Sequence, residues 1–371
     1  IGMYAGQGGT SSAPYSTGTH NVAVGYEALK GFTTGQTNVA IGGYAGASVS
    51  SGQKNVAIGY TSLNYLTDGT DSVAVGYHAG YYGTGSYNTF VGSQAGKGGT
   101  TSAPYSSGQY NVAMGTEALE GFTTANYNTA IGYQAGEAIT SGIGNAFLGF
   151  RAGLGATTAD YSVGIGYGAL GDATLTGNYN IGIGLNAGMD LSSGAGNIIL
   201  GYNAGDAMTG TSYTVLIGQL AGGAINSTDA NGTVAVGYGA LTALTDGQQN
   251  VAMGYNAGNE ITTGDKNTVV GYEAGSELKD DLNNTFLGSY AGYMVESDEN
   301  TFIGVEAGEG SSGNTTGGQN TAVGYRSMEA YTTANKNVAV GDAALQLNTT
   351  GNQNVSIGMR ASQYNTVGSN Q

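Results

Sequence analysis

Residues able to do chemistry are sparse in this chain. Two histidines, His20 and His78, stand far apart, and there is no cysteine. Neither a Ser-His-Asp relay nor a histidine metal site can be assembled from two distant imidazoles, and thiolate chemistry is excluded. The carboxylates offer more. "GSELKDD" carries Glu277, Asp280 and Asp281, and "VESDEN" carries Glu296, Asp298 and Glu299. Counted from Asn267 and Asn284, both Asp281 and Asp298 occupy position 15 of a repeat, so stacked repeats would bring two like charges together. Calcium between them is the functional reading, and a solvated acidic edge offset by Lys266 and Lys279 is the plainer one. The plainer reading is favoured, because no calcium-loop spacing accompanies the acids. Apart from that calcium, no cofactor is expected.

Other motifs dissolve on inspection. "GYGALG", residues 166–171, satisfies G-x-G-x-x-G but is an ordinary stretch of the repeat, and no Ser or Thr follows Lys97 in "GSQAGKGGT" as a phosphate loop requires. No acid–base pair is identifiable and no insertion is large enough to wall a substrate cleft, so the chain is not expected to be an enzyme. A polysaccharide-degrading spike is the distant alternative.

The element that must position everything is the repeat itself. "NVAIGY", residues 55–60, recurs from Asn21 to Asn354, and aligning the chain on its closing glycine gives 20 spacings, of which 13 are 17 residues. The template reads N-[VT]-[AF]-[VIL]-G-Y-x-A-G-x-x-[ILVF]-T-[TS]-G-x-x. Position 1 is Asn in 16 of 20 copies. Positions 2 to 4 are β-branched and end at glycine, which reads as a short strand entering a turn. Glycines at positions 5, 9 and 15 would each cost about 1 kcal/mol in a helix. The fold expected is therefore all-β: a parallel β-solenoid or β-roll of about 21 coils, on the order of 100 Å long at strand spacing.

In such a coil the asparagines at position 1 stack, among them Asn21, Asn38, Asn55, Asn111, Asn128, Asn250, Asn267, Asn284 and Asn337, and their amides are expected to bond along the ladder. Position 4, aliphatic or Met in every full copy, is expected to face the core, with positions 8 and 12. Position 3, on the opposite strand face, would then present an apolar surface that meets partner chains, most simply in a homotrimer. The array is expected to run over 1–361, with loop extensions near 8–19 and 98–109 holding Pro14 and Pro104, and a tail at 362–371. These extensions come from a duplication, since "SSAPYSTGTHNVAVGYEALKGFTT" and "TSAPYSSGQYNVAMGTEALEGFTT" lie 90 residues apart. Tyr15 and Tyr105, in those loops, are the candidate receptor contacts. The tyrosines at position 6 could stack on sugars, although a structural role between protomers fits a row that follows the whole array better.

Charge and hydropathy narrow the partners. The formal net charge is −16 with nine Lys and Arg, which disfavours nucleic acid. No apolar run reaches the roughly 20 residues of a membrane helix, so membrane insertion is not expected.

The N-[VT]-A-[IV]-G-x-x-A-G pattern resembles the repeats of bacteriophage tail fibre proteins and of related bacterial fibre proteins that often end in an intramolecular chaperone. It is also similar to the head repeats of trimeric autotransporter adhesins, whose coils are shorter. The resemblance covers nearly the whole chain. It implies a trimeric, extracellular, parallel β-fibre whose partners are its own copies, other virion tail proteins, and a host cell-surface glycan or protein. Seventeen residues per coil favours the tail fibre over the alternative, a bacterial surface adhesin head, and no chaperone, heptad stalk or anchor pattern follows Ser362.

Overall fold

The computed structural model describes residues 1–9, 16–99, 105–311 and 315–371. The chain forms two compact units, Ile1–Asn186 and Ala187–Gln371. The first carries strands β1 (Val22–Val24) to β10 (Ile181–Ile183), and the second β11 (Ile198–Leu200) to β20 (Val355–Ile357). Every strand is three residues long, and within each unit successive strands pair parallel with equivalent positions opposite one another, as Val112↔Thr129, Ala113↔Ala130 and Met114↔Ile131 do in the first and Val251↔Thr268, Ala252↔Val269 and Met253↔Val270 in the second. This is the parallel β-solenoid that the 17-residue repeat predicts. Residues 362–371, expected as a tail, continue it instead: Thr349 N donates to Thr366 O, and Asn370 N to Asn352 O.

Glycine at position 5 has a steric cause. Its φ is positive throughout, and a Cβ at Gly132 (φ +136°) would lie 2.3 Å from the carbonyl oxygen of Gly149 on the next coil. Any side chain there would push neighbouring coils apart, so the strand spacing depends on a bare α-carbon. Positions 7 and 17 also take left-handed backbone, but with ordinary side chains such as Glu117 and Tyr127 (φ +59° each), and position 9 does so even with a buried leucine such as Leu119 (φ +53°). The Glu117 and Tyr127 N–H groups reach back one coil, to Ser93 O and Gln109 O, and help hold the bend.

The pleat runs opposite to expectation. Position 3 is interior: Ala113 and Phe147 are 0% and 1% exposed, whereas Met114 and Leu148 at position 4 are 46% and 48% exposed. Alternation along a strand places 2 and 4 on one face and 3 on the other, and the bore of this narrow coil takes the position-3 side chain. Space in the bore is shared between positions 3 and 9. Where position 3 is Phe, as at Phe90, Phe147, Phe286 and Phe302, position 9 is Gly, and a Cβ on Gly153 would lie 2.5 Å from the Phe147 ring. Where position 9 is large, as at Leu29, Leu63, Leu119, Leu170, Leu241, Met328 and Leu345, position 3 is Ala or Gly. Buried Ala at position 8 and a larger residue such as Leu66, Ile139 or Ile261 at position 12 complete the core.

The asparagines at position 1 are stacked and their amides bond along the ladder as expected, Asn128 Nδ2 donating to Asn111 Oδ1 at 3.2 Å and Asn337 Nδ2 to Asn320 Oδ1 at 3.1 Å, with a shorter backbone bond beside each. Each Oδ1 accepts the backbone N–H of the next asparagine: Asn38 N to Asn21 Oδ1 at 2.9 Å, Asn55 N to Asn38 Oδ1 at 3.0 Å, Asn128 N to Asn111 Oδ1 at 3.0 Å, and Asn267 N to Asn250 Oδ1 at 2.9 Å. Asn284 and Asn337 are bonded the same way, to Asn267 and Asn320. Each Nδ2 donates to a carbonyl 14 residues on, as Asn128 does to Gly142 O at 2.8 Å. Serine can replace the asparagine: Ser162 N still donates to Asn145 Oδ1, and Ser162 Oγ accepts from Asn180 N at 3.3 Å.

Insertions stay off the core path. In the 19-residue repeat the extra residues form a short 3-10 turn, Thr228–Ala230, whose Asp229 N donates to Ser227 Oγ. At the second long extension, Gly99 N donates to Phe122 O and Ser106 N to Tyr82 O, so the chain leaves and rejoins the coil there. Residues 10–15 and 100–104, with Pro14, Tyr15 and Pro104, lie outside the described residues.

Two predictions follow from this core. Phe147→Ala should destabilise the first unit by about 3–5 kcal/mol in chemical denaturation, and adding Gly153→Leu should recover part of that loss, because Leu170 shows that the site accepts leucine. Asn128→Ala should cost about 2–4 kcal/mol by leaving Asn145 N–H and Gly142 C=O without partners, and Asn128→Ser clearly less.

Candidate functional site

Three surface features could carry a function: the outer strand face, an aromatic cluster, and an acidic pocket. The strand face follows from the pleat. Positions 2, 4 and 6 point outward, and over all twenty repeats they include one charged residue, Asp342. The face is aliphatic at 2 and 4, as at Val22, Ile41, Met114, Ile165, Ile217 and Met253, and aromatic at 6, as at Tyr60, Tyr167 and Tyr255. In each unit this face runs along ten strands, and a contiguous apolar patch of that extent marks a contact surface. The expectation of an outward apolar face therefore transfers from position 3 to positions 2 and 4.

Most exposed aromatics in these rows consume their own faces. Tyr87, Tyr110 and Tyr127 stack at 4.8 and 5.0 Å with ring planes 3° and 5° apart, and Tyr238, Tyr255 and Tyr272 stack at 5.1 Å within 9°. One region differs. Tyr65 meets Tyr81 edge to face (5.2 Å, 81°), Tyr81 meets Tyr82 at 64°, and Tyr44 meets Tyr60 at 87°. His78 lies between Tyr77 and Tyr81 at 3.8 and 4.8 Å, and burial, then Lys97, lowers its affinity for a proton. Tyr105 joins this group, 4.5 Å from Tyr65 and 5.9 Å from Tyr82. Its partner candidate Tyr15 lies outside the described residues. Burial and the Tyr65 hydroxyl push the Tyr81 phenol up to about 12. The signal for this cluster was three tyrosines and a histidine at positions 6 to 11 of one repeat, "YHAGYY", read in sequence only as one more copy of the template.

The acids gather in two places. An open pocket of about 460 Å³ is lined by Asp281, Glu296, Asp298 and Glu299. Asp281 and Asp298 are not equivalent, however: the repeat between Asn284 and Asn300 is 16 residues long, and Thr285 pairs with Thr301, which sets Asp298 opposite Leu282 and Ser297 opposite Asp281. Asp298 Oδ1 accepts the Leu282 N–H at 2.7 Å, the role that Asp160 and Asp265 play for Ile143 and Gln248. Asp281 is the perturbed group, raised from 3.8 to about 6 first by burial, less a contribution from the Lys279 N–H, with Asp298, Asp280 and Glu296 adding repulsion. Among the described residues, the one trio of carboxylates within 4.8 Å of one another is Glu306, Glu309 and Glu329, and there Arg326 Nε already sits 2.5 Å from Glu306 and 3.7 Å from Glu329. The cationic Arg326 supplies the compensation a metal would.

No protein-family model matches the chain, and no curated protein matches it in sequence. Among the described residues no helix is long and apolar enough to cross a membrane.

The Asp281 environment predicts a pH effect with a definite sign. A carboxyl whose folded pKa is raised binds its proton more tightly when folded, so the second unit should gain stability as pH falls from about 6 towards about 4 and lose it on the return. Asp281→Asn should stabilise it at pH 7 by about 1–2 kcal/mol, after allowance for solvent screening at this partly exposed site, and should flatten that pH dependence in urea melts.

Proposed function

We propose that this chain is the shaft of an adhesive fibre, built from three parallel copies and used by a phage to reach and hold a host cell surface. The observation that carries the reading is the outer strand face: a band of Val, Ile, Leu, Met, Thr and Tyr with one charge, in a chain whose net charge is −16. A polypeptide that keeps acids out of one face and spends them elsewhere has a face selected for dry contact.

A second copy is the partner that suits this face best. Its side chains repeat at strand spacing, and only a surface with the same period can match it coil by coil. Column 2 of one copy can meet column 4 of the next, and three copies joined in this way close into a ring about a common axis. The likeness of the repeat to tail fibre proteins supplies the biological setting, with other tail proteins and a host glycan or protein as further partners.

Light scattering on the native chain should give three times its 37.0 kDa mass. Ile217→Asp combined with Met253→Asp should break the particle into single chains that keep their β-structure, because both residues face outward. A wild-type particle of single-chain mass at all concentrations would contradict the reading.

A further inference from the structure

We propose that the aromatic cluster around Tyr44, Tyr60 and Tyr81 is a saccharide-binding site, which stacks a pyranose ring in the cleft that these tyrosines form with Thr61 and Asn64. This rests on the adhesive part of the function proposed above and names the ligand class and the place.

The first support is ring geometry. In the parallel rows each tyrosine covers its neighbours' faces, so only edges remain for a ligand. In the cluster Tyr44 stands at 87° to Tyr60, and Tyr81 at 81° to Tyr65. Tyr60 also stacks on Tyr77 at 5.9 Å and Tyr81 on His78 at 4.8 Å, so each offers its remaining face to the cleft, and a ring face carries the negative side of the quadrupole, against which the C–H groups of a pyranose pack. The second support is the cleft itself, about 260 Å³ and lined by Tyr44, Tyr60, Thr61, Asn64 and Tyr81. That lies just below the ~300–1,000 Å³ of ordinary ligand pockets and suits one sugar ring rather than a peptide segment.

The third is polarity. Asn64 Nδ2 donates to Tyr44 O at 3.1 Å, which fixes the amide and leaves its Oδ1 to accept from a sugar hydroxyl. The tyrosine hydroxyls offer further donors and acceptors. No carboxylate lines the cleft, although acids outnumber bases 25 to 9 in the chain. A neutral ring with one apolar face and a polyhydroxyl edge matches such walls. Tyr44, Thr61, Asn64 and Tyr81 lie on the turn at positions 7 to 10, and Tyr60 at position 6 borders the strand face, so three copies joined through columns 2 and 4 leave the cleft at the rim of the contact.

The experiment uses the full chain, which has 27 tyrosines and no tryptophan, so its fluorescence reports tyrosine directly. Hexasaccharides of glucose, galactose and N-acetylglucosamine are titrated against the wild type and against Tyr60→Ala, Tyr81→Ala and Tyr255→Ala, each checked for β-structure by circular dichroism. At least one sugar should give a saturable change that Tyr60→Ala and Tyr81→Ala each weaken by about tenfold, the loss of one stacking partner, and that Tyr255→Ala leaves unchanged. No binding across the panel, or equal weakening by Tyr255→Ala, would overturn the proposal. Because the particle's mass is measured separately, a trimer that binds no sugar sinks this site alone, and a single chain that binds sugar sinks the assembly alone.

Discussion

Contact between the position-5 glycine of one coil and the carbonyl of the next is the constraint on which the rest depends. With 2.2–2.7 Å between a hypothetical Cβ and that oxygen at glycines such as Gly25, Gly132 and Gly254, only hydrogen fits. Coils so close must be nearly identical in backbone, which accounts for strands three residues long that pair with no offset. Asparagine at position 1 exploits the same closeness. One short side chain there reaches the next coil's N–H and a carbonyl of its own turn, so it ties two coils together and satisfies a buried bend at once. A helix or an ordinary sheet offers no position where one residue type does both jobs every 17 residues.

Much of the architecture was legible because it is periodic. Gly at position 5, Asn at position 1 and Ala at position 8 announce stacked coils, and no other common fold tolerates that pattern. The facing of the strand was misread because size was taken as the guide to burial. Alternation fixes only that position 3 opposes positions 2 and 4, and here position 3 goes inward whatever its size, Ala130 in one coil and Phe147 in the next, while Ile131 stays on the outer face. The corrective evidence was present in the pairing of Phe147 with Gly153 and of Gly164 with Leu170, a conservation of volume between positions 3 and 9 that only interior neighbours need.

The candidate sites were less legible, for a different reason. Asp281 and Asp298 were aligned by counting forward from asparagine through a repeat one residue short, so a deletion in the turn moved the apparent partner by one place. The aromatic cluster depends on inter-ring angles between successive coils and on Tyr105 returning from an extension to Tyr65 and Tyr82, and neither is a property of spacing. The aromatic and acidic candidate sites lie at departures from the repeat, since the repeat itself is occupied with stacking. The acids show the same division: Asp160, Asp265 and Asp298 serve backbone N–H groups, whereas Asp281 departs from that column and carries the perturbed carboxyl.

The central claim is that each strand turns its position-3 residue inward and its residues at positions 2 and 4 toward a second copy. It is tested most directly by thiol labelling of Ala252→Cys and Met253→Cys, adjacent on one strand in a chain with no other cysteine. The account predicts that the thiol at position 252 stays unreactive until the chain unfolds, while the thiol at 253 is protected in the assembled particle and reacts readily in chains dissociated by dilution. Faster labelling at 252 than at 253 in folded, dissociated chains would contradict it.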